Sequence, residues 1–118
     1  MFPSVAIEIR DKVSGEDLFA NGTYIMDSVS IYSAGWDEAH LQFQEEQNRT
    51  LIYFAPSQER YVCSIGSQLT FDVIIEKFIE EKRCYTSTKV NNVSVDSFEY
   101  ESSSDEFLTV WNVIVWVN

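Results

Sequence analysis

Histidine occurs once in this chain of 118 residues, at His40, and cysteine twice, at Cys63 and Cys84. Three such residues without C-x2-C or H-x3-H spacing do not read as a zinc site. A Cys–His nucleophilic pair needs its members only to meet in space. Here, however, His40 falls on the outward half of an alternating segment and each cysteine is flanked by strand-forming residues, so packed, inert thiols and a surface histidine are the expectation. Basic residues are also scarce, 8 against 19 acidic ones, for a formal net charge of −11. Such a surface repels phosphate backbones and anionic headgroups, which argues against nucleic-acid binding and against an anionic membrane face. No run of roughly 18 apolar residues is present, so no transmembrane segment is expected. Phe2–Ile9 is too short for a signal peptide and alternates instead of forming an apolar block.

Leucine and alanine together number only 10, whereas valine and isoleucine number 22. Branched side chains lose rotamer freedom in helices and pack well on pleated sheets, so this balance points to an all-β protein. Fourteen per cent aromatic residues push the same way. The length suits one domain, residues 1–118, large enough to bury a core.

Ser4–Arg10 alternates, with Val5, Ile7 and Ile9 on one face and Ala6, Glu8 and Arg10 on the other, as in a half-buried strand. The charged run through Ser14-Gly15 is turn chemistry, Leu18-Phe19 anchor the next loop, and Asn21-Gly22 suits positive φ. Ser28–Ser33 is a second strand with Val29 and Ile31 inward. Ala39–Glu45 resumes alternation, Leu41 and Phe43 inward and His40 outward, and forms a hairpin with Thr50–Ala55. The unbroken apolar run of that last segment suggests cover on both faces. Tyr61–Ile65 is a short strand closed by Gly66-Ser67.

Leu69–Tyr100 organises the rest. Leu69–Ile79 fits both a strand alternation and a helical stripe, but Val73-Ile74-Ile75 is a poor helix opening and no capping box precedes it, so we read a strand. The charged segment Glu76–Arg83 cannot be core and should project past the sandwich or turn into solvent. Asn91-Asn92 reads as a turn between Thr86–Val90 and Val93–Tyr100. Glu101–Glu106 reads as a polar loop, and Phe107–Val117 as a last strand, apolar on both faces, with at least one of Trp111 and Trp116 in the core. The sum is an antiparallel β-sandwich of about seven to nine strands, immunoglobulin-like or transthyretin-like.

Three constellations could carry chemistry. Trp36 in a glycine-containing loop, with Tyr32 and Tyr53, could stack on a sugar ring, or Trp36 could simply plug the loop. Glu101, Asp105 and Glu106 offer hard oxygen ligands for Ca2+, without an EF-hand pattern. Paired carboxylates such as Asp37-Glu38 could serve a hydrolase, yet adjacent strand residues point to opposite faces. Cys63 and Cys84 permit one disulfide without requiring it. Three N-x-S/T sequons, at Asn21, Asn48 and Asn92, fall in predicted turns, which favour asparagine in any case.

The segment Ser14-Gly15-Glu16-Asp17-Leu18-Phe19 after a first strand, the strand start Asp27-Ser28-Val29, and Lys82-Arg83-Cys84-Tyr85 before Lys89-Val90-Asn91-Asn92 resemble small lipoproteins and lipoprotein-like domains of the Bacteroidetes. That resemblance implies an exported periplasmic or cell-surface β-sandwich, with a lipidated cysteine and signal peptide upstream of residue 1. A single cysteine precedes the turn where the family often has two, Asn92 stands in place of its glycine, and the Trp-rich end is outside its pattern. The resemblance carries over no catalytic residues. The expected role is a non-enzymatic accessory or structural domain making protein or glycan contacts, with a carbohydrate-binding module as the alternative and an acid/base hydrolase third.

Overall fold

The computed structural model describes residues 4–33, 35, 37–46, 49–56, 58–81, 86–104 and 110–117, with backbone alone for 77–81 and 86–91. It is a β-sandwich of nine strands: β1 (Ser4–Asp11), β2 (Val29–Ser33), β3 (Gln42–Glu46), β4 (Arg49–Phe54), β5 (Arg60–Ile65), β6 (Leu69–Glu81), β7 (Thr86–Val95), β8 (Glu99–Ser104) and β9 (Val110–Val117). One sheet has the order β3-β4-β1-β9-β8 and the other β2-β5-β6-β7. All neighbours are antiparallel except β1 and β9, which run parallel in eight-residue register from Ser4↔Val110 to Asp11↔Val117. Among the described residues the only helical element is a 3-10 turn at Met26–Ser28.

Alternation decides what each strand contributes to the interior. Val5, Ile7 and Ile9 of β1 and Val113 and Val115 of β9 are fully buried, and meet Ile31, Cys63, Ile65, Val73 and Val93 of the facing sheet in one core. Each such valine or isoleucine side chain contributes about 1.5–3 kcal/mol of burial free energy. Phe54 and Tyr61 close the gap between the sheets edge to face, with ring centroids 5.0 Å apart. Trp111 is the buried tryptophan of β9, and Trp116 lies half-buried on the opposite face. Leu18 and Phe19 dip into the core as loop anchors, and Gly22 takes the expected positive φ of 85°. Asp17, buried beside them, accepts the amide hydrogens of Phe19 (2.9 Å) and Ala20 (3.0 Å) on Oδ1 and of Thr50 (2.9 Å) on Oδ2. One carboxylate thereby shapes the loop and pins it to β4.

Leu69–Glu81 is a strand throughout. β5 pairs with β6 as far as Ile74, Ile75 N still donates to Glu59 O (2.8 Å), and beyond it β6 pairs with β7 alone among the described residues. The described part of the charged middle, residues 76–81, thus belongs to a two-stranded arm extending past the sandwich, in a molecule 49 Å long and 23 Å thin.

Three sequence expectations need correction. Asn91-Asn92 is no turn: β7 runs through it, and the register slips between Glu76↔Asn92 and Lys77↔Val90, which makes Asn91 the extra residue of a bulge. β7 ends later, at residues 96–98, where Ser97 adopts a φ of 79° and the chain passes to β8 of the other sheet. Residues 101–104 are no structureless loop either, because Glu99–Ser104 is the edge strand β8, paired with β9 from Glu99↔Trp116 to Ser104↔Trp111; Asp105 and Glu106 lie outside the described residues. The residues on the inward side of β8, Tyr100, Ser102 and Ser104, stay exposed or half-buried at the sheet edge, where a polar sequence is tolerated. Phe43 shares the inward face of Ile52 but stays 39% exposed, since β3 lies at the sheet edge with all five residues exposed.

Candidate functional site

The outward side of the five-stranded sheet is concave and holds a depression of about 770 Å3 open to solvent. Register sets its composition. Ile114 at the middle of β9 pairs with Glu8 on β1 and with Glu101 on β8, so two carboxylates flank one aliphatic side chain on the same face. One residue pair further along, Asn112 is flanked by Ala6 and Ser103. Leu51 and Tyr53 of β4 complete the apolar part of the floor and wall.

Glu8 is 5% exposed, an unusual place for a carboxylate, and its Oε1 accepts from Arg49 Nε (2.6 Å) and Arg10 Nη2 (3.2 Å). Arg49 also meets Glu46 at 3.3 Å, and Arg10 donates from Nη1 to the Gly15 carbonyl (2.8 Å). Burial works against the Arg49 charge, but the hydrogen bond and negative charge of Glu8, with Glu46 beyond, outweigh it and raise the guanidinium pKa. The outcome is a fixed, charged rim on one side of the depression. Hydroxyl, amide and carboxylate groups (Ser102, Ser103, Asn112, Glu101) line the other side.

Of the aromatic trio, Tyr53 lines this face. Tyr32 is half-buried on β2 in the other sheet, on its outward side, so the two tyrosines stand on opposite surfaces of the sandwich. Trp36 lies outside the described residues. Glu101 sits in β8, not in a loop, while Asp105 and Glu106 fall outside the described residues; among those described, no three His, Cys, Asp or Glu side chains gather as for a metal.

Cys63 is a free thiol, fully buried, and burial pushes its pKa up to about 12. It pairs with Phe71 on β6, and the strand continues to Glu81. Cys84 lies outside the described residues. His40 is exposed near Gln42 and Tyr53, while the Cys63 thiol is sealed in the interior.

Sequence reasoning placed Glu8 on the polar face of a half-buried strand and saw nothing further in it. The only available signal was a carboxylate at the middle of a strand otherwise rich in branched residues. Compared with known protein families, curated proteins and solved structures, the chain matches none.

Proposed function

We propose that this chain is a non-catalytic binding domain that holds a neutral, hydroxyl-rich glycan on the outer face of its five-stranded sheet. The observation that carries this reading is the 770 Å3 depression, in which hydrogen-bonding side chains alternate with the faces of Tyr53, Leu51 and Ile114. Sugars present that same mixture, hydroxyls at the ring edge and C–H groups on the ring face. Three carboxylates against one arginine in the lining, on a chain of net charge −11, disfavour an anionic ligand. Glu8 Oε1 already accepts from two arginines, an arrangement suited to holding Arg49 in place and not to exchanging a proton with a substrate. This favours binding over acid/base hydrolysis.

The test is affinity electrophoresis through neutral polysaccharides (β-glucan, xylan, mannan), with heparin as the anionic control. Retardation by at least one neutral polymer is expected, with loss in Tyr53→Ala and Asn112→Ala. No retardation in any neutral gel, or retardation unchanged in both variants, rules the site out. The resemblance to exported lipoproteins supports an accessory role at the cell surface, with any lipid anchor upstream of residue 1. Fractionation and lipid labelling of the full-length precursor check that placement.

A further inference from the structure

We propose that the free edge of β3, Gln42–Glu46, is a docking site for an extended basic segment of another protein, which joins the five-stranded sheet as a sixth strand. An open strand edge presents a row of unpaired N–H and C=O groups and is a template for pairing, so most edges are covered, bulged or guarded by lysine or proline.

The sandwich has four edges, and they are treated differently. The edge of β2 is covered by the chain that follows it: Tyr32 bridges to Glu38, Ser33 N donates to Asp37 O (2.9 Å), and Ala39 N donates to Ile31 O (2.8 Å). β7 is interrupted by the bulge at Asn91. β8 has the Lys12 ammonium on Glu99 at 2.7 Å and leads directly into residues outside the described set. β3 has none of these guards. Its five residues pair with β4 without irregularity, all five are exposed, and the strand contains neither lysine nor proline. Its backbone has no partner other than β4 among the described residues.

The side chains specify the partner. Phe43 and Glu45 stand on one face of the strand, Phe43 39% exposed, and Glu46 closes the strand with a second carboxylate. An incoming strand with an apolar side chain beside Phe43 and cationic side chains beside Glu45 and Glu46 makes favourable cross-strand pairs. A second copy of this chain would set like charges against each other, on two bodies that each carry a net charge of −11. The charge therefore selects a basic partner over self-association.

The probe is a short synthetic peptide with valine and one lysine on one face, a second lysine on the other, and threonine elsewhere. Fluorescence anisotropy measures its binding, and amide hydrogen exchange reads out Gln42–Glu46. Expected is salt-sensitive binding that protects those amides and weakens at least fivefold in three cases: glutamates in place of the lysines, backbone N-methylation of the peptide, and Phe43→Lys in the protein. Glu45→Lys, which leaves the apolar contact intact, should weaken it as well, whereas Asn112→Ala on the groove should leave it unchanged. Both edge substitutions lie at exposed positions, and circular dichroism confirms that the variants fold. Absence of binding, equal binding of all peptides, or unprotected β3 amides overturns the proposal. So does dimerisation through β3, which would make the occupant a second copy.

Discussion

Arg49 Nε lies 2.6 Å from Glu8 Oε1, an ion pair between residues 41 positions apart that joins β4 to β1 on the groove side of the sheet. The Glu8 side chain is 6% exposed and that of Arg49 38%, so the carboxylate depends on the guanidinium more than the reverse. Replacing Arg49 by Met leaves Glu8 only the longer contact to Arg10. After allowance for solvent at Arg49, the expected loss is about 1–3 kcal/mol in urea unfolding. The double variant Glu8→Leu with Arg49→Met removes the stranded charge and should recover most of it. A double variant less stable than Arg49→Met alone would show that the pair is not governed by desolvation.

Asp17 satisfies three amide hydrogens at once, two in its own loop and that of Thr50 on β4. In Asp17→Ala these buried donors lose a charged acceptor, at an expected cost of about 2–4 kcal/mol. The Thr50 amide should also exchange faster in the native state. Unchanged exchange at Thr50 would mean that the loop is held to β4 by the Leu18 and Phe19 anchors instead.

Cys63 carries a pH signature. Its ordinary pKa of 9.0 rises to about 12 in the folded protein because burial penalises the thiolate. Below pH 9 the thiol is neutral in both states and stability is unaffected by it. Above that, the unfolded thiol ionises while the buried one stays protonated, so unfolding is favoured and stability falls by up to about 1.4 kcal/mol per pH unit until the folded thiol titrates. Unfolding free energies across alkaline pH should therefore drop more steeply for the wild type than for Cys63→Ala; parallel curves count against the assignment. A thiol reagent should modify Cys63 at the rate of unfolding.

Ser97, at a φ of 79° between β7 and β8, holds a left-handed conformation that costs an L-residue about 1 kcal/mol. Ser97→Gly relieves the strain and adds unfolded-state entropy, two opposed terms. A net gain of a few tenths of a kcal/mol, or about 1–3 °C in Tm, is expected from calorimetry. A lower Tm would show that the serine conformation is not under strain.

The positions of most strands and the inward set Val5, Ile7, Ile9, Val29 and Ile31 follow from alternation in the sequence, because period-two geometry is a property of the local backbone. The last strand, in contrast, is apolar on both faces, and only the structure turns Trp111, Val113 and Val115 inward. Asn91 and Ser97 show where local reading stops. An asparagine pair suits a turn and a bulge equally well, and the choice fell to the register of β7 against β6, which keeps Val93 and Val95 inward after the slip.

The composition of the chain determined an acidic, all-β, single-core protein, and its alternation determined which side chains of strands such as β1 and β2 face that core. Only the tertiary structure decided that β1 lies between β4 and β9. That placement buries Glu8 beside Arg49, brings Glu101 and Asn112 onto the same concave face, parts Tyr53 from Tyr32, and leaves β3 open at the rim. The reason is physical: facing in or out is settled residue by residue along one strand, whereas neighbourhood across a sheet is a choice among strands distant in sequence. That choice rests on the summed burial of β1 and β9, at opposite ends of the chain.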